Sequence, residues 1–174
     1  MATTQESTIA ELAKNVFSFH VVTQELNEWV YRSWRCKRPN RGAYSFRVVT
    51  WPGCVYIGGD IRDFVFEREC DMIPWLRSAV NSPQYLADKC IAGECYELSP
   101  DQLRQWLCEQ ISDDQGITED RRDAIQELID DEFVTIDKCY ESGLFDEVPR
   151  CREFTPGFQW AVEAFKWFLA NAKF

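Results

Sequence analysis

From residue 17 to residue 68 apolar and polar positions alternate with a period of two, the spacing of a half-buried strand. Phe17, Phe19 and Val21 share one side of an extended segment. Trp29, Tyr31 and Ser33 oppose Val30, Arg32, Trp34 and Cys36 in the next, and Tyr44, Phe46 and Val48 oppose Arg47 and Val49 in a third. Asn40-Arg41-Gly42 and Pro52-Gly53 supply turn chemistry between strands. Cys54 to Ile57 and Phe64 to Glu67 extend the meander, with Gly58-Gly59-Asp60 as its last turn. The pattern predicts four to six antiparallel strands between Phe17 and Arg68, preceded by a short helix over Thr8 to Asn15.

After Arg68 helix-start signals replace alternation. Asp71 stands three residues before Pro74, and Ser82-Pro83, Ser99-Pro100 and Thr155-Pro156 each place a hydroxyl N-cap before a proline suited to the first helical position. Ser99 and Gln102 have the spacing of a capping box, and Leu103, Trp106 and Leu107 follow at helical intervals. Thr118 opens a further helix whose apolar stripe is Ile125, Leu128, Ile129, Phe133 and Ile136. The last helix carries Trp160, Val162, Phe165, Phe168 and Leu169, and residues 143 to 153 read as a loop. Strands first and helices afterwards predict an α+β fold, an antiparallel sheet covered by C-terminal helices. Length predicts one domain over residues 1–174, sheet-rich over 16–68 and helical over 71–174, with a C-terminal helical subdomain left open.

Composition supports a folded chain: hydrophobic residues make up 45% and aromatics 14%, too many for a disordered protein. No apolar run reaches the roughly 20 residues of a membrane span, and the first residues lack a signal-peptide pattern, so a cytosolic protein without membrane attachment is expected. The eight cysteines are irregularly spaced, form no Cys-x-x-Cys pair and are joined by a single histidine, which argues for free thiols rather than zinc ligands. No metal or cofactor is expected.

Charge is segregated along the chain. Residues 1–90 carry 11 basic and 10 acidic side chains, 91–147 carry 4 and 17, and 148–174 carry 4 and 2. Two candidate surfaces follow. The acidic one comprises Asp113, Asp114, Glu119, Asp120, Asp123, Glu127, Asp130, Asp131, Glu132 and Asp137, several of them three or four residues apart and so on one helix face. The basic one interleaves Arg32, Arg35, Lys37, Arg38, Arg41 and Arg47 with Trp34, Tyr44 and Phe46, the composition of a sheet that tracks phosphates and stacks bases. Catalytic signals are thin. His20 stands without a nucleophile motif, and Asp60 and Asp63 offer a metal only two carboxylates, so no catalytic residue is assigned.

The strings Trp34-Arg35-Cys36-Lys37-Arg38-Pro39, Val48-Val49-Thr50-Trp51-Pro52-Gly53, Gly59-Asp60 with Phe64-Val65-Phe66-Glu67-Arg68, and Asp71-Met72 resemble a family of small bacteriophage and prophage proteins. The resemblance spans Phe17 to Lys89 and returns in the aromatic final helix. It implies phage provenance and no catalytic residues. A phage origin and a strongly acidic segment together raise the expectation of a non-enzymatic, anti-CRISPR-like counter-defence protein in the host bacterial cytosol. Its partner would be a bacterial nuclease, defence protein or nucleoprotein complex, whose phosphate-binding surface the carboxylates would occupy. The alternative is a nucleic-acid-binding accessory protein using the basic sheet face, and a small phage enzyme stands third.

Overall fold

The computed structural model describes residues 8–113 and 116–174. In chain order the elements are α1 (Ile9–Phe17), β1 (Val21–Glu28), β2 (Tyr31–Lys37), β3 (Phe46–Trp51), β4 (Cys54–Gly59), β5 (Phe64–Glu67), α2 (Met72–Ala79), α3 (Pro83–Ala87), β6 (Cys90–Ala92), β7 (Tyr96–Leu98), α4 (Pro100–Asp113), α5 (Glu119–Asp130), α6 (Ile136–Glu141), β8 (Arg152–Phe154) and α7 (Pro156–Asn171). The fold is α+β, and β1 to β6 form an antiparallel sheet in sequence order. The chain divides into two compact units: residues up to Cys95 together with Phe154–Phe174, and Tyr96–Glu153.

In the first unit the alternation sends Trp34, Cys36, Phe46, Val48, Val55, Ile57, Phe64 and Phe66 to one face of the sheet, where all are buried. Helix α7 lies on that face: Phe168 packs on Trp34 with ring centres 5.1 Å apart, and Phe165 and Phe158 meet Phe66 and Phe64 at 5.7 Å. Burial among these rings pushes the Cys36 thiol up to about 12, leaving it inert.

The segment read as a first strand from Phe17 is instead helical. Thr8 and Glu11 close a capping box, and Ala13 and Phe17, four residues apart, are the buried positions of α1. Phe17 enters the aromatic core against Phe46 and Trp160. His20, which falls in the segment read as extended, is 92% buried just after the helix, its Nδ1 3.1 Å from the Val16 carbonyl and its Nε2 3.0 Å from that of Tyr44. Tyr44, placed by sequence in a strand, sits in a turn at φ +59° with its ring 5.1 Å from Trp160. The sixth strand, β6, falls beyond the predicted limit and pairs with β5 through Val65 and Phe66.

The second unit has its own core of Leu103, Leu107, Ile125, Val134, Cys139 and Cys151. The apolar stripe read as one helix to Ile136 is broken. Helix α5 stops at Asp130, because Asp131 takes an extended conformation and its carboxylate accepts the Phe133 N–H at 2.8 Å. Thr135 then caps α6 through the Lys138 N–H, which leaves Phe133 72% exposed. Residues 143 to 153, read as a loop, end in β8, which pairs with β7.

Candidate functional site

The basic residues singled out in sequence separate into those spent on structure and those that converge. Arg32 reaches Asp71 in a two-pronged ion pair of 2.9 and 3.0 Å. Arg38 lies over the Phe19 ring at 4.5 Å. Trp34 and Phe46 have their rings buried on the core face, although Phe46 also borders the cleft described next. Arg35, Lys37, Arg41 and Arg47 line an open cleft of about 630 Å³ on the opposite side of the sheet, together with Ser45 and Tyr56.

Sheet register explains the convergence. Arg35 on β2 stands directly opposite Arg47 on β3, which stands opposite Gly58 on β4. Like charges facing across two strands repel, so the pair needs an anion between or beside them. A bulge in β1 between Gln24 and Leu26 leaves Glu25 out of the pairing, and its carboxylate lies 2.8 Å from Arg35 Nε and 3.5 Å from Arg47 Nη2. The first contact is an ion pair without hydrogen-bond alignment, since Arg35 Nε is buried and unsatisfied. Lys37 and Arg41 are exposed and make no ion pair among the described residues.

Tyr56 forms one wall. A Cβ on Gly58 would overlap the Tyr56 hydroxyl and the Asp63 carboxylate, so the bare glycine lets the phenol fold down and donate to Asp63 at 2.7 Å. Burial and the Asp63 hydrogen bond push the Tyr56 phenol up to about 12, keeping it protonated. Asp60 accepts the Ser45 N–H at 3.0 Å. The two carboxylates considered for a metal thus serve different partners, and among the described residues no group of three His, Cys, Asp or Glu side chains could hold an ion. Tyr56, Ser45 and Glu25 went unselected in the sequence. Tyr56 shares the alternation of Gly58 and could have been found there, whereas Glu25 reaches the site through a bulge that no periodicity reveals.

The acidic residues lie in the second unit, which holds 17 carboxylates against six basic side chains, a net charge of −11, while the remainder of the chain carries +1. Asp120, Asp123, Glu127 and Asp130 run along one side of α5, all exposed, at steps of three or four residues, or about 4.5–6 Å of helix axis. Glu119, Glu132, Asp137 and Asp113 are exposed around them. None of these eight is ion-paired among the described residues. Asp131 stands apart: the Lys138 ammonium and the Phe133 N–H hold its carboxyl below the usual range, so it serves the turn. Asp114 lies outside the described residues.

No protein-family model, curated protein or solved structure matches this chain. Among the described residues no helix is long and apolar enough to cross a membrane.

Proposed function

We propose that the protein is a non-enzymatic, stoichiometric inhibitor of the phage counter-defence type, which uses its acidic unit to occupy the nucleic-acid-binding surface of a bacterial nuclease or effector complex. The observation that carries this reading is the concentration of charge: a net −11 on one compact unit, with a stripe of carboxylates along α5 that make no ion pair among the described residues. A surface built for phosphates is lined with Lys and Arg and gains affinity by neutralising them, so spaced carboxylates compete for the same groups. A field of this sign also steers encounter, raising association rates about 10- to 1,000-fold at low salt. The phage resemblance of the strings from Trp34 to Met72 supports the same class.

The alternative, single-stranded nucleic acid on the sheet face, draws on the cleft at Arg35 and Arg47. It has weaker support, because the Trp34 and Phe46 rings are almost wholly buried in the core and Tyr56 is the more accessible aromatic at the cleft. Stacking proteins distribute several rings along the strand.

The test begins with affinity capture from bacteria expressing the chain, followed by titration of each captured nuclease or effector in a DNA-binding assay. Inhibition should saturate at one equivalent, weaken with salt and be lost when Asp120, Asp123, Glu127 and Asp130 are changed together to Asn or Gln. Unaltered inhibition by that folded variant, or substrate turnover by the chain itself, overturns the reading.

A further inference from the structure

The cleft on the first unit is independent of the acidic surface and has a charge imbalance of its own. Four cations, Arg35, Lys37, Arg41 and Arg47, line it. Glu25 is the carboxylate that answers them, shared between two of the four. The neighbouring acids are engaged elsewhere, Asp60 on the Ser45 backbone and Asp63 on the Tyr56 hydroxyl. Arg35 stands directly across from Arg47, a like-charge pairing that the single Glu25 carboxylate offsets only in part. An anion in the cleft would answer the positive charge that Glu25 leaves over.

The chemistry of that anion follows from number and shape. Two guanidinium forks on adjacent strands match the oxygens of phosphate. Lys37 lies two residues along β2 from Arg35, and Arg41 comes from the connection between β2 and β3, so the positive charge extends along the cleft beyond the reach of a single phosphate. The volume of about 630 Å³ falls within the range of small-molecule pockets and suits a ligand of nucleotide size. Tyr56 offers a ring at the wall, and the Ser45 hydroxyl a further donor. We propose that this cleft binds the polyphosphate group of a small molecule, with two or more linked phosphates held by Arg35, Arg47, Lys37 and Arg41.

The experiment is titration calorimetry of the full chain with pyrophosphate, ADP, adenosine and a ten-residue oligothymidine. Pyrophosphate and ADP should each bind at one site, and adenosine should not. Lys37→Ala and Arg41→Ala, at exposed positions outside any ion pair among the described residues, should keep the fold and each weaken binding about tenfold, the effect of one charged hydrogen bond. ADP binding tighter than pyrophosphate, with the difference removed by Tyr56→Ala, identifies a nucleotide; equal affinities identify inorganic polyphosphate. The proposal is overturned if neither pyrophosphate nor ADP binds at 1 mM, on the order of the weakest affinity such a site should show. It is equally overturned if both charge variants bind as wild type, or if oligothymidine binds and pyrophosphate does not displace it. The inhibitor variant of α5 should leave all these titrations unchanged, which keeps the two tests separate.

Discussion

Asp71 does two jobs with one carboxylate, and they can be pulled apart by substitution. Its Oδ1 accepts the Ile73 N–H at 3.1 Å as the N-cap of α2, while both oxygens hold Arg32. Losing the cap costs about 1 kcal/mol. The ion pair lies between the exposed and buried extremes, with side chains 18% and 36% accessible, so removing one partner should cost about 1–1.5 kcal/mol, above an exposed pair and well below a buried one. Asp71→Ala should therefore lose about 2–2.5 kcal/mol and lower Tm by about 4–10 °C. Asp71→Asn retains the capping oxygen and should lose only the pair, as should Arg32→Met; the double variant should show coupling of about 1 kcal/mol. Urea unfolding followed by tryptophan fluorescence suits the measurement, because six of the seven tryptophans belong to the first unit. The hydrogen bond from Arg32 holds the Asp71 carboxyl below its ordinary range, so its contribution is present above the unfolded value near 4 and disappears as pH falls through the lower folded value. The gap between wild type and Asp71→Asn should accordingly close in acid. A loss under about 0.5 kcal/mol for Asp71→Ala, or a gap between wild type and Asp71→Asn that does not narrow as the pH falls, would refute the reasoning.

Two further outcomes are expected. The Cys95 thiol donates to Cys90 and holds its sulfur down to about 7, while Cys95 itself is pushed up; iodoacetamide should modify Cys90 first, with a rate midpoint near pH 7 that moves upward in Cys95→Ala, and a midpoint unchanged by that variant contradicts the pairing. Gly59 sits at φ +133° with the Ser45 carbonyl 2.5 Å from where a Cβ would stand, so Gly59→Ala should lose about 3 kcal/mol in the same urea assay, and a loss below about 1 kcal/mol would count against this geometry.

Period-two patterning made the sheet legible because one face packs on apolar helices, so β2 to β5 begin and end within a few residues of their predicted limits. The same patterning already held the fate of the basic cluster: Trp34 and Arg35 are neighbours in a strand and cannot share a face. Grouping them by composition hid what alternation shows, that rings and charges part company across the sheet. Phe17 misled for the opposite reason, since residues 17, 19 and 21 fit a strand while residues 13 and 17 fit a helix, and a capping box at Thr8 decides between them. The breaks at Asp131 and at β6 escaped because a side chain folding onto its own turn, and a three-residue strand completing a sheet edge, leave no periodic trace. The cleft was half visible: its cations stand out in the sequence, but Glu25 enters through a bulge and Tyr56 through the bareness of Gly58.

The boundary between the units is also the boundary of charge, and this bears on what the acidic unit is for. A stretch of 58 residues buries a modest fraction of its unfolded surface and has little stability to spare. Along α5 the pairs Asp120 with Asp123, Asp123 with Glu127, and Glu127 with Asp130 each set like charges three or four residues apart, at a few tenths of a kcal/mol apiece, or about 1 kcal/mol in all. Solvation alone does not require one sign, since Lys or Arg at alternate positions would solvate the same face and add attraction. A stripe that costs stability in a small unit is accounted for when its charge is used in binding. The four-residue neutralised variant therefore separates the possibilities through two readings taken together. Gained stability with lost inhibition marks a surface whose repulsion is relieved in the complex, whereas gained stability with inhibition intact marks a face that is only solvated.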